Sequence, residues 1–259
     1  MKANYHTHTV RCNHAQGSER EYIESAINAG FSVLGFSDHI PYDYPDGFVD
    51  MCKMEMSQAQ DYFETLLKLK EEYKDKIEIL IGFEAEYYEE LFDKNMETLS
   101  KYPIDYLILG QHQYPSYHGK SSFSETDSVK DLTDYVDVTV KAIETDKFVC
   151  VAHPDVINFT GDKQIYKEQM RRICIAAKDH NAALEINMQG AGSVGKRRHY
   201  PNEDFFEVAA EVGNSVIIGS DAHSPSKVFV KSAYDECMRI LNNCGITPID
   251  FLNINTQGR

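Results

Sequence analysis

Short apolar, β-rich runs alternate with longer stretches of helical periodicity along the whole chain, the pattern of parallel strands joined by helices. The runs predict strands near Ala3–His6, Val33–Ser37, Ile77–Glu84, Asp105–Gly110, Phe148–His153, Ala183–Asn187 and Val216–Ser220. Between them, Ser18 followed by Glu21 and Ser57 followed by Gln60 each fit a capping box at a helix start. After Ser57, the residues Tyr62, Phe63, Leu66, Leu67 and Tyr73 recur near helical spacing and form a face to pack on a sheet. Gly30 stands where the first helix would stop. No Gly/Ser-rich linker, low-complexity tract or repeat interrupts the rhythm. Seven strand–helix units predict an α/β fold, a (β/α)7 barrel of TIM-like type, with an open doubly wound sheet as the competitor.

Composition sharpens this picture. At 259 residues and 42% hydrophobic, the chain is long enough for one large barrel domain, taken as residues 1–259. The formal charge of −15 repels phosphate backbones and anionic membranes at long range, which argues against nucleic acid as a general partner. No apolar run approaches the roughly 18 residues of a membrane span, and the N-terminus has no signal-peptide core. The six cysteines are scattered without a C-x-x-C pair. That spacing fits neither a zinc finger nor a thioredoxin motif, and reduced thiols in a cytoplasmic protein are the expectation.

The histidines follow the strands. His6 and His8 end the first as H-T-H, with His14 in the next loop; Asp38-His39 closes the second and Glu84 the third. His112 closes the fourth, His153 the fifth, and Asp221 with His223 the seventh. A barrel presents all these ends at one face, so residues far apart in sequence converge on one pocket. On an extended segment, two histidines two apart point to the same side and suit one ion. His118 and His180 fall off the pattern and read as surface residues, and His199 stays open.

The stretches HTHTVRCNHAQG, GFSDH, GFEAEY, GQHQ, AHPD, EINMQG with RRHYPN, and IIGSDAHS resemble the PHP (polymerase and histidinol phosphatase) family, most of all its stand-alone histidinol-phosphatase branch. They keep the family's order from residue 5 to residue 224. The resemblance implies a distorted seven-stranded barrel with three divalent ions at the C-terminal strand ends. It assigns His6, His8, Glu84 and Asp221 to the first ion. It has Glu84 bridge to a second, completed by His112 and His153, and gives His14, His39 and His223 to the third. Imidazole-rich ligation suits Zn, Fe or Mn better than Mg or Ca. Such ions lower the pKa of bound water toward ~7 and orient the hydroxide for attack on a phosphomonoester. Glu84 and Asp221 would be catalytic through the metals. Asp38 either orients His39 or protonates the leaving alkoxide, and Asp155 has the same two readings beside that of a helix cap.

Phosphate beyond the metals calls for guanidinium groups. Of eight arginines, Arg197 and Arg198 follow the sixth strand in the region where the family holds phosphate, and Arg11 lies close to His8. The leading substrate is histidinol phosphate, a small phosphomonoester of the histidine pathway. HPDVINFTG carries no arginine where the family's pattern has one. That keeps a phosphotyrosyl peptide, a nucleotide or an oligonucleotide end open as targets, with a non-catalytic metal-binding scaffold as the contrasting class.

Overall fold

The computed structural model describes residues 1–192 and 199–254. Its main sheet is built from β1 (Ala3–Asn4), β2 (Val33–His39), β3 (Glu78–Ala85), β4 (Tyr106–Leu109), and, past the hairpin strands β5 (Gln113–Tyr114) and β6 (Lys120–Ser121), from β7 (Cys150–Val151), β8 (Ala183–Asn187) and β9 (Val216–Gly219). These seven pair in parallel in chain order, β1-β2-β3-β4-β7-β8-β9. The helices are α1 (Glu19–Asn28), α2 (Ala59–Tyr73), α3 (Phe92–Leu99), α4 (Val129–Ile143), α5 (Lys163–Asp179), the short α6 (Met188–Ala191), α7 (Glu203–Val212) and α8 (Lys231–Asn243). No helix among the described residues is long and apolar enough to cross a membrane.

The sheet is a nearly closed barrel. Past the ends of β1 and β9, Thr7 bridges Ala222, with His8 N–H donating to Ala222 O at 3.0 Å and Ala222 N–H to His6 O at 3.3 Å. Asn4, with no exposed surface, reinforces the seam: its Nδ2 donates to Thr7 Oγ1 (2.7 Å) and its Oδ1 accepts Ser220 N–H (2.9 Å). The first and last strands therefore meet beside the expected site.

Side chains alternate across each strand. In β3, Ile79, Ile81 and Phe83 enter the large core beneath the helices, while Leu80 faces the other way. A second cluster takes Ala3, Val33, Leu80, Tyr106, Cys150, Ala183 and Ile217, one residue from each strand of the barrel, and so fills its lumen. At the N-terminal strand ends the C-terminal segment closes this lumen, with Leu252 buried there and Ile249 N–H on Val216 O at 2.8 Å.

The expected elements are present with several shifts. Ala183–Asn187 matches its prediction, whereas the first and fifth runs pair as strands over two residues each, with single bonds continuing beyond them from Ser37 N–H to Thr7 O (2.9 Å) and from Ala152 N–H to Leu109 O (2.8 Å). The Ser18/Glu21 capping box forms, and Gly30 takes φ +82° just after α1. The second box lies earlier than expected: a 3-10 turn precedes α2, and Gln58 Oε1 accepts Glu55 N–H at 2.8 Å. On α2 it is Leu69 that packs, while Leu67 is exposed. The β5–β6 hairpin was not anticipated, since two-residue strands leave no periodicity to read.

Replacing Asn4 with alanine strips the partner from Ser220 N–H in a buried seam, at a cost on the order of 1–3 kcal/mol for a buried unsatisfied group. Urea unfolding of the variant should show that loss with the m-value unchanged.

Candidate metal centre

Barrel closure gathers the strand-end residues. His6 and His8, just past β1, have ring centroids 5.2 Å apart and are almost wholly buried. His39 ends β2 and is registered opposite Glu84 of β3. Glu84 Oε1 lies 2.9 Å from His153 Nε2 and 3.5 Å from both His6 Nε2 and His112 Nε2. Its Oε2 lies 3.0 Å from His39 Nδ1 and 3.6 Å from His8 Nε2. Asp221 Oδ1 is 3.2 Å from His8 Nε2 and 3.6 Å from His6 Nε2, and His14 and His223 bring their Nε2 atoms within 2.9 Å of each other. All nine expected ligands thus stand in one continuous group.

The donor set fits divalent cations. Ligand atoms of His6, His8 and Glu84, of His6, His153 and Asp221, and of His8, His39 and His223 each lie within 4.8 Å of one another. His6 Nε2, His8 Nε2, His39 Nδ1, His153 Nδ1 and Glu84 Oε2 are buried without a hydrogen-bond partner, a cost native proteins bear where an ion completes the site. Five of the rings are fixed from behind. Nδ1 of His6 lies 2.9 Å from Glu185 Oε1, that of His8 3.4 Å from Asp38 Oδ1, and that of His112 3.0 Å from Glu86 Oε1. Those of His14 and His223 meet the carbonyls of Cys12 (2.7 Å) and Asp221 (3.0 Å). Carboxylates and carbonyls only accept, so Nδ1 of His6, His8, His14 and His112 carries a proton and Nε2 is the nitrogen left to face an ion. The carboxylates outweigh burial and hold His6 and His8 well above the usual imidazole range, so these two would give up the Nε2 proton on binding one.

The local field suits the same purpose. Burial, followed by the positive field of His8, pushes His39 down to about 4 and His223 to about 3, leaving both imidazoles neutral and able to bind metal. Burial opposes charge on Glu84 and Asp221. The surrounding imidazoles, His112 first for Glu84 and His6 first for Asp221, outweigh it and hold both carboxyls well below their usual range. On Glu86 burial is likewise overcome, by Lys53 and then His112, and its pKa falls to about 2.

The backbone is shaped around the cluster. His153 and Asp221 have φ of +30° and +48°, left-handed values that cost non-glycine residues on the order of 1–3 kcal/mol and that collect at functional sites. A Cβ on Gly110 would overlap the Glu84 carboxylate, and one on Gly219 would overlap that of Glu185. Six of the nine, His14, His39, Glu84, His112, Asp221 and His223, line a cavity of about 720 Å³, walled in part by Asp50, Lys53, Glu86, Phe123 and Lys227.

Several expectations are corrected. Arg11 does not face the cavity. Its guanidinium is buried and bonded to Glu19, Asp61, Thr9 and Thr65, so its donors serve to pin the first loop to α1 and α2. Asp38 orients His8 rather than His39: with no exposed surface, it accepts from Thr9 N–H, Thr9 Oγ1 and His39 N–H and faces His8 Nδ1. That leaves it no route to a leaving group. Asp155 holds the chain at Asn202 N–H (2.6 Å), and burial lifts its carboxyl to about 7. His118 and His180 pair with Asp46 and Asp146 at the surface, and His199 bonds Val156 O. Arg197 and Arg198 lie outside the described residues. The sequence reading missed Glu185 and the Lys53–Glu86 pair (2.6 Å), and gave Glu86 no role behind His112. Alternation offered a signal for Glu185, a charged residue amid the apolar run ALEIN of a strand buried on both faces.

Comparison with known proteins agrees with this geometry. A family model described as the PHP domain matches residues 4–189. The probable histidinol-phosphatase of Deinococcus radiodurans is 27% identical over 261 residues, spanning 97% of each chain. That of Schizosaccharomyces pombe is 26% identical over 100% of this chain and 92% of its own. The crystal structure of histidinol phosphate phosphatase from Lactococcus lactis, complexed with zinc, L-histidinol and phosphate, shares the fold with a TM-score of 0.74. It is 19% identical and covers 96% of this chain and 95% of that one.

Glu185→Gln should keep the fold, yet lower metal affinity about 10–100-fold, the usual effect of losing a carboxylate behind a ligand histidine. Metal retained after dialysis against graded chelator, with far-UV circular dichroism as the control, reads this directly; unchanged retention would remove Glu185 from the ligand-orienting set.

Proposed function

The chain belongs to the PHP family, and from that premise we propose that it is a metal-dependent phosphomonoesterase whose substrate is L-histidinol phosphate. The observation that carries this reading is the ring of buried, unpartnered ligand atoms around Glu84 and Asp221 on the floor of the cavity. His6, His8, Glu84 and Asp221 would hold one ion, Glu84 with His112 and His153 a second, and His14, His39 and His223 a third. Zinc, iron or manganese fits this donor set. When bound, such ions supply Lewis acidity toward phosphate oxygens and acidify water toward a pKa of ~7.

The chain's own residues set the conditions for that chemistry. Neutral imidazoles add no charge, so Glu84 and Asp221 alone offset the cations and the cavity floor favours a phosphate dianion. Glu185, Asp38 and Glu86 hold the tautomers of His6, His8 and His112 and so keep each lone pair inward. Arg197 and Arg198, which follow β8 in the sequence and lie outside the described residues, are the sequence's candidates for the outer phosphate oxygens. Asp50, in the cavity wall, is the carboxylate that suits a protonated amine, which histidinol carries, because Glu86 is buried and committed to Lys53 and His112. The curated relatives' names and the zinc, L-histidinol and phosphate held by the Lactococcus lactis enzyme point the same way.

Phosphate release from L-histidinol phosphate, by protein reconstituted in turn with Mn, Fe(II) and Zn, tests the proposal. A kcat in the usual range of roughly 1–1000 per second, abolished by chelator, is the expected result. Hydrolysis of p-nitrophenyl phosphate without histidinol phosphate would move the substrate elsewhere, and no turnover of either with any metal would favour the scaffold. In the same assay Glu84→Ala should lose both turnover and bound metal, because Glu84 approaches five of the imidazoles; full activity would exclude a bridging role.

A further inference from the structure

Cys12 was not among the expected ligands, yet the fold delivers it to the edge of the cluster. It ends a 3-10 turn over Val10–Cys12, capped by the Thr9 side chain and closed by Asn13 at φ +65°, which turns the chain back toward His14. Thr9 is itself fixed by Asp38, so the turn is tied to the residue that orients His8. The thiol has no exposed surface. Buried thiols ordinarily pack as small hydrophobes. Cys150, Cys174 and Cys237 do so, each within a hydrophobic cluster, while Cys12 belongs to neither of the two clusters. Its neighbours are polar: ligand atoms of Cys12, His14 and His223 lie within 4.8 Å of one another, as do those of His8, Cys12 and Asp38. His14 and His223 have Nδ1 committed to carbonyls and Nε2 atoms 2.9 Å apart, converging on a shared point.

We propose that Cys12 is a metal ligand whose thiolate joins His14 and His223 on the outermost ion of the cluster. The inference rests on reading the cluster as a metal centre. Binding forms a metal–sulfur bond and releases the thiol proton to solvent. One sulfur beside the imidazoles of His14, His223 and His39 is a soft donor set, so this position selects zinc or ferrous iron over manganese, whereas the deeper ions keep nitrogen and oxygen ligands.

Cobalt(II) reconstitution of the full chain tests this without relying on turnover. Wild-type protein and Cys52→Ser, which removes the exposed thiol at the cavity wall, should both show a near-ultraviolet thiolate-to-cobalt charge-transfer band. Cys12→Ser should lose that band and keep visible d–d absorption from the remaining cobalt. Cys12→Ala, with circular dichroism, guards against a fold-specific failure of the serine variant, and the wild-type spectrum decides the matter even if both variants unfold. Visible cobalt bands without charge transfer in the wild type, or a band that survives in Cys12→Ser, would overturn the assignment of Cys12 alone. Absence of any cobalt absorption would overturn the metal-centre reading and this inference with it.

Discussion

Two carboxylates, Glu84 and Asp221, sit almost fully buried at the mouth of the barrel, and their charge can persist there only because imidazoles crowd around them. Moving ionised groups out of water is expensive unless they are paired or coordinate cations. Each imidazole must in turn be oriented, since either ring nitrogen can carry the proton. The chain answers with a second layer of acceptors: Glu185, Asp38 and Glu86 behind three rings, and backbone carbonyls behind two more. Glu86 brings a further demand for positive charge, met by Lys53 at 2.6 Å. An acidic chain thus arranges its negative groups and imidazoles so that they can hold a cationic centre.

The barrel is built to carry this arrangement. Alternation sends every second side chain into the lumen, where apolar residues fill the lower part and Glu84, Glu185 and Asn187 come in near the top. Glycines 110 and 219 give way to carboxylates that need their space. Left-handed backbone at His153 and Asp221 stores strain that the surrounding core must offset.

Around this floor the wall is chemically uneven. Asp50 and Glu86 place negative charge near Lys53, while Phe123 stacks beside His112 with ring centroids 5.8 Å apart. The proposed substrate, with phosphate at one end and an amine and an imidazole ring toward the other, would match such a graded surface better than a uniformly anionic one. Arg11 illustrates the opposite outcome. It is close to the site in sequence, but five carboxylate and hydroxyl contacts turn it into a strut between helices.

Strand rhythm and histidine placement are properties of the sequence itself, and they led to the α/β class, with a barrel ahead of an open sheet, and to the group of nine residues at the C-terminal strand ends. Periodicity reports which side of a strand a residue faces, and a strand end in a parallel barrel has one destination. Local sequence also determined the Ser18 cap and the stop at Gly30, both set within one helical turn. What it could not determine were contacts between residues far apart in the chain. That Asp38 serves His8, that Glu185 stands behind His6, that Lys53 neutralises Glu86 and that Cys12 reaches His14 and His223 all depend on how neighbouring strands and loops are placed in three dimensions. Hydrogen bonds and ion pairs act over about 3 Å, and only the closed barrel brings those partners within that range.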